Sequence, residues 1–359
     1  MTAKVSSSFL TLPVENVYRI LDHLDELTIF LSLRNVCMRL NTIVDTYNRY
    51  QTLITLNLST NDIGNRGVQY IANALQYNRT LTTLILICND IGPTGAKHLS
   101  MALTKNNTLR TLNLRWNNIG PNGAKWLADA LETNQTLMTL GLEGNSIGSK
   151  GTQYLANALQ NNQALTTLNI CENLIDAEGI KHLAHALSKN KTLTSLSLVS
   201  NKIDVDGAKY LADGLQHNQT LLILNLAKNE MGFEEVKHLA SELYFNRTLT
   251  TLNLERNDIG AEGAKYLSDA LLDNHGLTTL SLGWNNIGDQ GAQYLATALH
   301  TNQTLTSLNF AWNEMGNQGA QYLADALKNN RTLRQLDLCG SQIYDLGAEY
   351  LFDALTINR

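Results

Sequence analysis

Three histidines, His98, His182 and His238, and four cysteines, Cys37, Cys88, Cys171 and Cys339, are where metal binding or nucleophilic chemistry would first be sought in this chain. A structural zinc needs four such ligands around one ion at about 2.0–2.3 Å, and a disulfide needs alpha carbons within about 7 Å. The spacing opposes both. The sequence repeats with a period of 28 residues, and the three histidines fall in one position of that period, together with Trp126 and seven tyrosines, among them Tyr70, Tyr154 and Tyr350. Carried on strands ~4.8 Å apart, histidines three repeats apart would be separated by about 14 Å, and so would Cys88 and Cys171. The histidines therefore read as members of a partly buried aromatic position, and the cysteines as reduced thiols. Eight repeats end in Asn-x-Thr, as at Asn134 to Thr136; the periodic placement makes this turn chemistry rather than a glycosylation signal. The chain has no GxxxxGK[ST] phosphate loop, no CxxC and no HExxH, and no nucleophile, base and orienter stand outside their repeat positions. The expectation is a non-enzymatic protein without cofactor or metal.

The rest of the composition agrees with an ordered binding protein. Apolar residues are 43% of the 359, and Gly and Pro together are only 27, enough core and too little breaker for a disordered chain. A net charge of −5 provides no general attraction to nucleic acid or anionic lipid. No apolar run reaches the length of a membrane span, and the start MTAKVSSSFLTLPVE lacks the apolar stretch of a secretory signal. The reading is a cytoplasmic or nuclear protein with neither nucleic acid nor membrane as partner.

Length alone would suggest two or three domains, but the period overrides it. From Leu53 to Arg359 the pattern LxxLxLxxNxIGxxGAxxLAxALxxNxT recurs eleven times without insertion or deletion, starting at Leu53, Leu81, Leu109 and so on to Leu333. The opening LxxLxL, as Leu109, Leu112 and Leu114, predicts a short strand with its leucines inward. In the first ten repeats position 12 is Gly, or Asp at Asp176 and Asp204, and position 13 accepts proline at Pro93 and Pro121; this predicts an N-cap and a helix start. Ala124, Leu127, Ala128 and Leu131 follow at i, i+3, i+4 and i+7, one buried helical stripe. Asn at position 26 occurs in all eleven repeats and predicts a helix end in the left-handed conformation that Asn tolerates.

Strand, loop, helix and loop in 28 residues resemble the ribonuclease-inhibitor-like leucine-rich repeat, also found in NOD-like receptors. The resemblance implies an α/β solenoid with parallel strands on its concave side and helices on its convex side. It also implies a buried ladder made by the Asn at position 9, which is Asn61 through Asn313 and then Ser341.

Residues 1–8 read as a tail, 9–50 as a separate helical segment and 53–359 as the repeats. Pro13 opens a helix with Val17, Ile20, Leu21 and Leu24 on one face; a second stretch carries Leu27, Phe30, Leu31, Leu33 and Val36. The plain reading is a cap over the open end of the solenoid core. The residues Leu12-Pro13, Glu15, Ile20, Leu21, Leu24, Leu27, Leu33, Val36-Cys37, Arg39 and Ile43 also resemble an F-box, with Leu40 where that family usually has Trp. The resemblance implies docking to the Skp adaptor of a cullin-RING ubiquitin ligase through Leu12, Pro13, Ile20, Leu21 and Leu24, with the repeats holding a target protein. The alternative is a stand-alone binding or inhibitor module of the ribonuclease-inhibitor or NOD-like-receptor kind, with the helices as cap. A third reading, similarity to the Ran GTPase-activating protein, lacks that family's acidic tail.

For a partner on the concave face, positions 3, 5 and 7 point outward and position 8 lies at the rim. Position 3 is nearly all Thr or Ser and position 5 mostly Asn or Ser, a polar ladder, and free variation lies at 7 and 8: Arg115, Trp116, Glu143, Lys228, Glu255, Arg256, Trp284 and Trp312. Three of the four tryptophans share position 8, and Lys228, Arg256, Trp284 and Trp312 occupy four consecutive repeats. Trp and Arg dominate interface hot spots, which marks this stripe as the candidate binding surface. Repeat seven departs on the convex side, with Glu235 for Gly and Glu242 for Ala; these read as drift, the alternative being a contact on the convex face, with Gly214 making room for Glu242.

Overall fold

The structure, a computed structural model, describes residues 53–358; the helical segment expected at 9–50 lies outside them. Each repeat contributes one three-residue strand at positions 3 to 5 and one helix. The first carries β1 (Thr55–Asn57) and α1 (Gly64–Leu75), the last β11 (Gln335–Asp337) and α11 (Asp345–Ile357), and repeat n between them carries βn and αn. The eleven strands join in sequence order into one parallel sheet, each residue paired with its counterpart 28 later, as Thr55 with Thr83 and Leu308 with Leu336. The first and last strands do not meet, so the sheet is open. The α/β leucine-rich-repeat solenoid expected from the period is the fold observed.

Why the sheet lies on the inner side follows from spacing. Neighbouring strands sit ~4.8 Å apart, whereas packed helices need about 8–10 Å. Between the layers the leucines of positions 1, 4 and 6 meet the helical stripe: Leu109, Leu112 and Leu114 against Ala124, Leu127, Ala128 and Leu131, all buried. One apolar cluster runs from Leu58 to Ala326.

The ladder at position 9 is present and explains why that position is invariant until the last repeat. Asn117 Oδ1 accepts from the N–H groups of Asn89 (3.0 Å) and Ile91 (2.9 Å), while its Nδ2 donates to the carbonyls of Leu86 (2.8 Å) and Leu114 (2.9 Å). One side chain thus closes backbone groups of two repeats that the tight turn strands away from water. Where Ser341 replaces it, the hydroxyl is buried with no hydrogen-bond partner.

Position 26 corrects the sequence reading. Asn190, Asn218, Asn274 and Asn302 have φ between −86° and −65° with extended ψ, not the left-handed conformation. Their side chains form a second buried ladder. Asn134 Nδ2 donates to the carbonyl of Leu103 (2.7 Å), the last residue of α2 (Pro93–Leu103), and Oδ1 accepts from Thr136 and Leu137 N–H at 3.0 and 2.8 Å. From Asn106 to Asn358 each Asn therefore caps the helix of the preceding repeat, satisfying a carbonyl that has no partner within its own helix. The Asn-x-Thr sequences are indeed turn chemistry.

Helix starts also depend on the neighbouring repeat. Where a side-chain acceptor reaches position 12, that residue is an extended N-cap. Asp204 accepts from Gly207 N–H (2.9 Å) and Asp176 from Glu178 N–H (3.1 Å). Elsewhere position 13 of the preceding repeat supplies the acceptor: Asn65 for Gly92 (2.9 Å), Asp289 for Gly316 (2.8 Å), and Asn317 for Tyr344 (2.9 Å). Where position 12 is Gly and that preceding residue is Pro, Ala or Phe, the Gly has φ of +60° to +64°, and its N–H donates to the next repeat's Asn carbonyl, as Gly120 to Asn145 (3.0 Å) and Gly288 to Asn313 (2.8 Å). Position 12 is thus an N-cap in only some repeats.

The same rule corrects repeat seven. Val205 precedes it and cannot cap, and Glu235 takes over, its Oε2 accepting from Gly232 N–H at 2.9 Å. Glu235 is a replacement cap rather than drift. Gly214 does not make room for Glu242: a Cβ on it would lie 2.8 Å from Ala184 Cα, so it serves the approach of α6 (Val205–His217) to α5 (Ala177–Lys189).

Candidate protein-binding surface

Immediately after each strand the chain must turn from the sheet toward the helix layer. It does so at position 8, which has positive φ in all eleven repeats, from Thr60 (58°) through Trp116 (54°), Lys228 (55°), Arg256 (53°), Trp284 (60°) and Trp312 (56°) to Gly340 (66°). The geometry is fixed by a bond to the next repeat: Trp116 N–H donates to Glu143 C=O (2.7 Å), Lys228 to Glu255 (2.9 Å) and Trp284 to Ala311 (2.9 Å). An L-residue in that conformation costs about 1–2 kcal/mol. Only Gly144 and Gly340 avoid the cost. Nothing in the period announced this, because nine of the eleven occupants are Trp, Arg, Lys, Glu, Cys, Thr or Ser rather than the Gly or Asn that would signal it. Residues kept at strained backbone positions are a recognised mark of functional surfaces.

The side chains lean toward the following repeat. Trp284 and Trp312 stack with ring centroids 4.5 Å apart and planes 13° apart, and the Arg256 guanidinium carbon sits 5.2 Å from the Trp284 ring. At the far end Trp312 lies over Gly340, where a Cβ would come within 2.3 Å of the indole. Trp116 lies over Gly144 in the same way. The two stacked rings remain 45% and 46% exposed and Trp116 41%, so stacking covers their faces and leaves their edges open. Both readings of the stripe hold together, as intrinsic packing and as accessible aromatic surface.

The other candidate residues divide by partner. Arg115 and Glu143 form an ion pair at 2.8 Å, and Glu143 also accepts from Asn169 Nδ2 at 3.2 Å; Glu143 is buried. Glu255 turns along the concave face and accepts from Asn309 Nδ2, two repeats on, at 2.6 Å. These acids are occupied internally. Position 7 is consequently less open than its outward direction suggests, with Glu143, Cys171, Ala227, Gly283 and Ala311 all buried. Lys228 and Arg256 instead border a rim groove of about 950 Å³ with Asp176, Asp204, Glu230 and Glu235. Leu174 stands on the same groove, 60% exposed and itself at φ 58°. Its only sequence signal was a leucine at a position otherwise polar.

Among the described residues no three His, Cys, Asp or Glu converge on a metal-sized site. Cys171 is buried, its Sγ 2.9 Å from Ser197 Oγ, and burial pushes its thiol above the ordinary range; Cys88 and Cys339 are exposed free thiols. The position-18 aromatics lie on the convex side under the lysine of the preceding repeat, as Lys97 over Trp126 at 4.8 Å and Lys237 over Tyr266 at 5.5 Å. His182 approaches Glu178 at 3.4 Å. The proposed adaptor residues Leu12, Pro13, Ile20, Leu21 and Leu24 lie outside the described residues. Among those described, no helix is long and apolar enough to cross a membrane.

Comparison with known proteins gives a consistent answer for the array. The Leucine Rich repeat family matches residues 51–72, 77–100, 105–128, 133–156, 189–212, 217–234, 245–268, 273–296, 301–324 and 329–352, more than half of the chain. No curated protein sequence matches it. Among solved structures, an internalin from Listeria monocytogenes superposes with a TM-score of 0.50 at 20% identity, over 84% of this chain and 85% of that one. The yeast Rad7 and Elc1 complex matches with a TM-score of 0.56 at 16% identity, over 95% and 87%. At such identities the likeness is one of fold. With ten matched segments and eleven strands in a single open sheet, the chain belongs to the leucine-rich-repeat family, whose arrays are protein-binding surfaces.

Proposed function

We propose that the chain is the substrate receptor of a Skp–cullin-type ubiquitin ligase, without catalytic chemistry of its own. Residues 9–50 engage the adaptor through Leu12, Pro13, Ile20, Leu21 and Leu24, and the array presents a target protein to the ligase. The observation that carries this reading is the LPxExxxxIL and VCxRL pattern joined directly to the repeats. Support from the array is the Lys228, Arg256, Trp284 and Trp312 stripe, where exposed ring edges and cations persist on strained backbone although glycine would be cheaper. The yeast neighbour is recorded as a complex of Rad7 with a second protein, Elc1, so a chain of similar fold does occur within an assembly.

A pull-down with purified Skp adaptor tests the first half: the full chain retains it and the chain lacking residues 1–50 does not. No retention by the full chain overturns the proposal. Retention of target proteins after deletion of 1–50, with no adaptor bound to either form, would favour a stand-alone binding module. For the array, replacing Trp284 and Trp312 by Ala removes target capture while lowering stability by only about 1 kcal/mol, the worth of a stacked aromatic pair. A large loss of melting temperature with capture intact would reassign the stack to folding.

A further inference from the structure

The convex side carries an aromatic patch that the repeat does not explain. Position 24, at the C-terminal end of each helix, is polar in nine repeats; the exceptions are Tyr244 and Leu272, in consecutive repeats. No repeat buries this position. Phe245 follows Tyr244 just past the end of α7 (Phe233–Leu243). Tyr244 is 40% exposed, Leu272 39% and Phe245 62%, and the two rings meet edge to face with centroids 4.9 Å apart, so neither hides the other. Apolar side chains at positions that stay wet throughout the array add nothing to its core; clustered, they mark a contact surface. They border a groove of about 460 Å³ between α7 and α8 (Gly260–Asp273), with the small, buried Ala240 and Ala270 beneath and Tyr266 and Asp269 on the α8 side. Lys237 is engaged there, its ammonium 5.5 Å from the centre of the Tyr266 ring. Asp269 is exposed and, among the described residues, has neither ion pair nor hydrogen bond, and the Tyr244 and Tyr266 hydroxyls have no acceptor. The groove thus offers apolar rings, two spare donors and one spare negative charge.

Those properties select one conformation of peptide. A β-strand laid across helices would leave its own N–H groups without acceptors. An α-helix uses its carbonyls internally and would leave both hydroxyls unanswered. A polyproline II segment fits: proline has no N–H, its carbonyls are free to accept from the tyrosines, and its rings pack on aromatic walls. A basic residue beside the prolines answers Asp269. The pitch agrees as well. A second groove, of about 650 Å³, lies between α9 (Gly288–Thr301) and α10 (Asn317–Leu327), lined by Tyr322 and reached by Leu272 from α8. The two grooves are two helix steps apart, each about 8–10 Å, and two turns of polyproline II advance about 19 Å. Side chains one such interval apart on one face of the segment therefore enter both grooves.

We infer that the convex grooves of repeats 7 to 10 dock a proline-rich segment of another protein in the polyproline II conformation, with a Lys or Arg beside Asp269. Fluorescence polarisation with the full chain and a labelled peptide of about ten residues, prolines with one central arginine and about 31 Å long, tests it. The expected result is saturable binding with Kd below about 100 µM. Tyr244→Gln with Phe245→Asn, residues that other repeats carry at these exposed positions, weakens it at least about tenfold without lowering the melting temperature. Trp284→Ala with Trp312→Ala, on the rim, leaves it unchanged. A peptide with Gln in place of the arginine binds about threefold more weakly to the unsubstituted chain, whereas Asp269→Asn binds the two peptides alike. No saturable binding, binding indifferent to the two ring substitutions, an arginine preference that survives Asp269→Asn, or equal affinity for an alanine-rich helical peptide of the same charge would each overturn the inference.

Discussion

At the scale of single residues, the repeat made most side chains interpretable by comparison with their own column, and the exceptions carried the information. Among the described residues, the histidines and cysteines converge on no metal-sized site, and Cys88, Cys171 and Cys339 are free thiols. Glu242 is the exception whose physics is least comfortable. Its Oε2 is buried without a hydrogen-bond partner, and burial together with the nearby Asp213 carboxylate raises its pKa. A carboxyl raised in the folded state favours folding when protonated, so its contribution is fully present below the unfolded pKa near 4.3 and is lost as pH rises through the folded value. Restoring the column consensus with Glu242→Ala should therefore stabilise the chain by about 0.5–1 kcal/mol at neutral pH. The gain should shrink as pH falls into the acid range, as read by urea unfolding at several pH values. A constant difference across pH would show that the charge is not the cause.

At the scale of elements, strand and helix positions were legible because period two and period 3.6 alternate within every repeat. The ends were not legible, because what caps a helix belongs to the repeat before or after it. Asn at position 26 was read as a left-handed C-cap; it is the C-cap of its own helix at Asn190, Asn218, Asn274, Asn302 and Asn358, but not left-handed, and its side chain also closes the end of the previous helix. Position 12 shows the same non-locality in a form that can be manipulated. Gly288 is left-handed because Ala261, the preceding position 13, offers no acceptor. Gly288→Ala should then cost about 1–2 kcal/mol. In an Ala261→Asn background the new side chain can cap as Asn65 does, position 288 can become extended, and most of that cost should vanish. A double-mutant cycle with a coupling energy of about 1 kcal/mol is the expected outcome. Strict additivity of the two substitutions would refute the exchange between capping side chain and backbone hand.

At the scale of the whole molecule, the open sheet and its ladders make stability a matter of neighbours. Asn201 bonds both to repeat five, through Ile170 C=O (3.1 Å), Asn173 N–H (3.1 Å) and Ile175 N–H (3.1 Å), and to repeat seven through Asn229 (2.9 Å). Asn61 is exposed, and among the described residues its side chain donates only to Ser59 C=O within its own repeat. Asn201→Ala should lower unfolding free energy by about 2–3 kcal/mol, because it leaves buried backbone groups unpaired, while Asn61→Ala should cost under about 0.5 kcal/mol. Equal losses in denaturant titrations would mean that the ladder is incidental to the stack. The architecture was legible at this scale from the period alone. Which surface stays unsatisfied was not, since the pairing of Arg115 with Glu143 and the reach of Glu255 to Asn309 depend on three-dimensional neighbours.

The uniform positive φ just past every strand has a consequence for how such an array changes over time. Because each non-glycine occupant already bears the same conformational burden, exchanging one for another is close to neutral for folding. The rim is then a row of interchangeable letters, one per ~4.8 Å step, and its spelling can follow a binding partner without renegotiating the scaffold beneath.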